Sequence, residues 1–70
     1  MRYYGKDVPF VDIKPSPSGD GFCLHFGSAP PAWFELQHNA IIYAQEVFPA
    51  ATIRVFESDS IISQIIPPRN

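Results

Sequence analysis

Only one stretch of this chain, Leu36 to Phe48, carries a helical hydrophobic period; the segments around it alternate with period two. Ala40, Ile41, Ala44, Val47 and Phe48 recur at the spacing of a buried helical stripe. His38, Asn39, Ile42, Gln45 and Glu46 fall on the opposite side of the same helix. No Ser, Thr or Asp stands at its start, where Leu36 and Gln37 occupy the capping positions. A helix of this length is marginal in water, so it needs a sheet to pack on.

Strands supply that sheet. Phe10-Val11-Asp12-Ile13-Lys14 alternates, with Val11 and Ile13 on one side. Phe22, Leu24 and Phe26 share one face of the next strand, and Cys23 and His25 share the other. Ala51, Ile53 and Val55 oppose Thr52, Arg54 and Phe56 in a third. Ile61-Ile62-Ser63-Gln64-Ile65-Ile66 is β-branched with weaker sidedness, and Ala32-Trp33-Phe34-Glu35 is either a further edge strand or the approach to the helix. Turn clusters at Pro15–Gly21, Gly27–Pro31 and Ser58–Ser60 separate these segments. The expected fold class is α+β: an antiparallel β-sheet of about three to five strands with one α-helix packed on one face, in ββαββ order. The single domain should span residues 10–66. Residues 1–9 are read as a flexible N-terminal arm and 67–70 as a C-terminal tail.

Size and charge narrow the function classes. A chain of 70 residues buries only about 60% of its unfolded surface, so the domain is small and marginal or is completed by a partner. Its net charge of −2 argues against a generally basic nucleic-acid binder or a polybasic membrane anchor. The lone Cys23 makes no internal disulfide. The first residues lack the apolar stretch of a signal peptide, and Ala40–Ala44 is far below a membrane span. A cytoplasmic location, in a bacterium or in a host cell entered by a virus, is the expectation.

Candidate chemistry is sparse. Cys23 and His25 lie two apart on one strand, a spacing of about 6–7 Å, which is long for a nucleophile and its base. Structural zinc needs four converging ligands, and Cys23, His25 and His38 are scattered. Gly19-Asp20-Gly21 precedes a strand, not the helix that a phosphate loop opens, and reads as a hairpin turn. Trp33 follows two prolines and is placed in the core beside Phe34 and Phe48. The chain is expected to be no enzyme and to need no metal or cofactor.

One helix covers one sheet face, and the other is left to water or to a partner. By alternation that face carries Phe10, Asp12, Lys14, Cys23, His25, Thr52, Arg54 and Phe56. Phe10, His25, Arg54 and Phe56 combine aromatic area with a fork-shaped donor, a composition typical of interface hot spots. Ile42, alone among polar neighbours on the outer helix face, is a second candidate contact. Sheet aromatics also stack bases in nucleic-acid modules, which is the alternative reading of the same face.

Two likenesses bear on function. Asp20-Gly21-Phe22, then Gln37-His38-Asn39-Ala40-Ile41 with Ala44, then Ile53-Arg54-Val55, resemble a small bacterial family of strand-strand-helix-strand domains, over residues 10–66. The chain departs from that pattern where Leu36 replaces the capping Thr and where Ser58-Asp59-Ser60 lacks the closing Gly. In architecture the chain is similar to small phage-encoded inhibitors of a host polymerase or CRISPR complex. That resemblance implies a protein-binding inhibitor or adaptor of a larger complex, with a bacterial housekeeping role as another alternative. The expected partner is another protein, a homodimer among the options.

Overall fold

The computed structural model describes residues 8–58 and 60–69. Five strands and one helix follow in the order β1 (Phe10–Pro15), β2 (Phe22–Phe26), β3 (Ala32–Phe34), α1 (Gln37–Val47), β4 (Thr52–Phe56) and β5 (Ile62–Ile66). The architecture is α+β, with the strands in one sheet of spatial order β3-β2-β1-β4-β5.

Two features of the expected fold are corrected. The element order is βββαββ, because Ala32–Phe34 pairs with β2 as a true edge strand. The sheet is also mixed, not antiparallel: β1 and β4 run parallel, with Val11 beside Ile53 and Ile13 beside Val55. The cause lies in the connections. Tight turns after β1 and β2 reverse the chain twice, so β3 points the same way as β1. The helix then carries the chain from that edge back past β2 and β1, as a crossover between parallel strands requires. Alternation of side chains encodes which face a residue takes and is silent on strand direction.

The helix-facing side is the core. Val11, Ile13, Leu24, Ile53 and Val55 from the sheet meet Ala40, Ala44 and Phe48 from the helix segment, all buried together with Ala51. The small Ala40 and Ala44 let the helix approach the sheet closely, and Phe48 fills the space at its end. Its ring lies 4.8 Å from that of Phe26, centroid to centroid, within the range of favourable aromatic pairs. Val47 and Ile41 are only partly buried and pack at the margin. Leu36 takes the N-cap position in extended conformation without a side-chain cap, as its residue type dictates. Pro49 stands just beyond the helix.

The expected arm and tail are only partly within the described residues. Residues 1–7 lie outside them. Val8 packs against the core, and the Pro9 carbonyl accepts a 2.9 Å bond from the Thr52 amide. At the other end the Arg69 amide donates to the Pro49 carbonyl at 2.9 Å, tying the tail to the end of the helix. No helix among the described residues is long and apolar enough to cross a membrane.

Candidate functional site: the uncovered sheet face

Strand alternation places Phe10, Asp12 and Lys14 of β1 opposite the core, with Cys23 and His25 of β2 beside them. Arg54 and Phe56 of β4 join the same side, because Ile53 and Val55 point to the helix. Four of the candidate contact residues, Phe10, His25, Arg54 and Phe56, therefore share one surface. Ile42, the fifth, is exposed on the outer side of α1, across the molecule from them.

An ion pair organises the centre of this face. Arg54 Nε donates to Asp12 Oδ1 at 2.7 Å and Arg54 Nη2 donates to Asp12 Oδ2 at 3.1 Å. Parallel pairing of β1 and β4 sets the two residues side by side. The guanidinium carbon also sits 4.2 Å from the centre of the Phe10 ring, within cation–π range. Lys14 places its Nζ 4.9 Å from the centre of the Phe56 ring in the same way. Both cations are thus engaged within the sheet, one of them by a fork-to-carboxylate grip that restricts its geometry. The expectation that Arg54 can be reversed in charge at little cost to stability is corrected by this contact.

Trp33 is the second correction. Its side chain is 54% exposed, so it does not belong to the core. Residues on β3 alternate like any strand: Ala32 and Phe34 turn toward the helix, and Trp33 turns to the uncovered face opposite Cys23. The indole Nε1 donates to the Asp20 carbonyl at 2.9 Å. The ring also lies over Gly21. A Cβ at Gly21, whose φ is +75°, would stand 2.6 Å from the indole Cζ2 and 2.5 Å from the Phe34 carbonyl oxygen. The glycine therefore both permits the turn and makes room for the Trp.

The last strand extends the apolar area. Register places Ile65 beside Arg54 and Ile62 beside Phe56, and both isoleucines are exposed. Sequence reasoning missed this pair because the β4–β5 ladder shifts register between Val55 and Phe56. A bulge of that kind breaks strict alternation. Ser63, at the irregularity, donates its hydroxyl to the Val55 carbonyl at 3.2 Å.

Groups suited to catalysis do not assemble. Cys23 is a half-buried free thiol, and among the described residues no hydrogen bond joins it to His25. His25 stands opposite Asp12, whose carboxylate oxygens are both taken by Arg54. Among the described residues no three of His, Cys, Asp and Glu converge on a common point. What the face offers is a set of aromatic and aliphatic groups around a neutralised ion pair. No family model, curated protein or solved structure matches the chain.

Proposed function

We propose that this protein is a small binding module that docks another protein on the uncovered face of its sheet. The observation that supports this reading most is the concentration of exposed apolar side chains there: Phe10, Trp33, Phe56, Ile62 and Ile65 share one side of a thin sheet. Interface cores are enriched in aromatics and depleted in free charge, and the two cations of this face are already partnered. A nucleic-acid surface would need cations free to neutralise phosphates. An inhibitor or adaptor of a larger complex, acting in a bacterial or infected host cytoplasm, is the role that fits a domain with no built reaction centre.

Affinity capture from host extract with wild-type protein and with Phe56→Ala, Trp33→Ala and Ile42→Asp tests the reading. One protein species retained by wild type and Ile42→Asp, and lost from both sheet-face variants, is the expected result. Retention by the sheet-face variants with loss in Ile42→Asp would move the interface to the helix. Binding of a labelled single-stranded oligonucleotide with a steep salt dependence would instead favour the nucleic-acid alternative.

A further inference from the structure

The two edges of the sheet are protected very unequally. β3, at one edge, has three residues, follows Pro30-Pro31 and is followed by Glu35. Short length, proline and nearby charge are the ordinary means of keeping an edge from recruiting another strand. β5, at the other edge, has none of them. Its five residues, Ile62-Ser63-Gln64-Ile65-Ile66, include no charge and no proline. Only Ile66 turns inward to the core; Ile62 is 42% exposed and Ile65 is 59% exposed. Every second residue of an edge strand points its N–H and C=O groups away from the sheet, where they remain open to pairing.

We infer that β5 is the interface of a homodimer, in which two copies pair their last strands antiparallel about a two-fold axis. The occupant must be an extended strand, because what the edge offers is a row of backbone donors and acceptors. A second copy meets that need without electrostatic penalty, since no residue of β5 is charged and like charges never face each other. Pro67-Pro68 lack N–H groups and end the pairing at Ile66. Closure follows from the inequality of the edges. Pairing β5 with itself uses up the open edge of both copies, whereas pairing β5 with β3 would propagate into a filament. The protection of β3 suppresses that second mode.

The consequence is one continuous sheet of twice the width. A two-fold axis perpendicular to the sheet puts both helices on one side and both uncovered faces on the other. Ile65 of each copy then lies near the axis, and exposed isoleucine area is buried on pairing. A single short strand pair is a small contact, so the dimer is weak and concentration-dependent. The inference stands apart from the proposed partner: the edge self-associates whether or not the face binds another protein.

Sedimentation of the full chain across a concentration series tests it. The expected behaviour is a monomer–dimer equilibrium with no larger species, and amide exchange in β5 that slows as concentration rises. Ile65→Lys and Ile65→Glu should each weaken the dimer by about tenfold or more, and mixing the two should restore it as a heterodimer. Both substitutions are on an exposed side chain, and circular dichroism checks that each variant folds; Ile62→Lys is the replacement if one does not. A wild-type protein that stays monomeric at about 1 mM overturns the inference. So does a dimer unaffected by both Ile65 charges, a dimer abolished by Phe56→Ala alone, or assembly that grows beyond two copies.

Discussion

Arg54 and Asp12 are 42 residues apart in the chain and are joined by two hydrogen bonds across the parallel β1–β4 pair. The pair is partly exposed, at 33% for the Arg and 22% for the Asp side chain. It holds two strands whose direction no local turn specifies. It also fixes the guanidinium against Phe10, so the centre of the uncovered face is rigid before any partner arrives.

Arg54→Glu should therefore destabilise the domain by about 2 kcal/mol, because it removes both bonds and sets a carboxylate against Asp12. Arg54→Ala should cost about 1 kcal/mol. Denaturant unfolding at low and high salt checks this: the penalty of the Glu variant should shrink as salt screens the repulsion. Equal stability of wild type and Arg54→Glu would show that the pair does not hold β1 to β4.

Gly21→Ala and Gly19→Ala separate conformational strain from crowding. Both glycines have positive φ, at +75° and +90°. A Cβ at Gly19 meets nothing within 4 Å, whereas one at Gly21 strikes the Trp33 ring and the Phe34 carbonyl. Gly19→Ala should cost about 1 kcal/mol, the strain alone. Gly21→Ala should cost roughly 2 kcal/mol or more and shift Trp33 fluorescence, since the indole must move.

Ala44→Asp should unfold the protein. Ala44 is fully buried between helix and sheet, and an unpaired carboxylate there has no partner to offset its desolvation. Loss of the cooperative thermal transition is the expected readout, and an unchanged melting temperature would contradict the packing.

For partner binding, Phe56→Ala should weaken affinity by about 1–3 kcal/mol, as expected of an aromatic anchor. Its effect on stability should be smaller than that of a buried core truncation, because Phe56 is only partly buried. Ile42→Asp, on the opposite side of the molecule, should leave affinity unchanged. Titration calorimetry against the captured partner reads both.

Much of the architecture was legible locally. The spacing of Ala40, Ala44 and Phe48 specified a single helix and its buried stripe, and period-two alternation assigned Val11, Ile13, Leu24, Ile53 and Val55 to the core. The same alternation placed Phe10, His25, Arg54 and Phe56 on the opposite face. These are short-range properties: which side a residue takes depends only on its neighbours and the period of the backbone.

What the chain could not state for itself was long-range. Whether β4 runs parallel or antiparallel to β1 depends on the path of the helix over the sheet, and that path alone brings Asp12 to Arg54. Trp33 faces solvent because β3 pairs with β2 and its parity follows that ladder, although its bulk and its neighbours Phe34 and Pro31 suit a core position. Ile62 and Ile65 reach the uncovered face through a register shift that interrupts alternation. The sequence by itself determined the faces of its helix and strands, because periodicity is local. Tertiary structure decided strand direction, the fate of Trp33 and the open edge at β5, because each depends on which distant segment lies alongside.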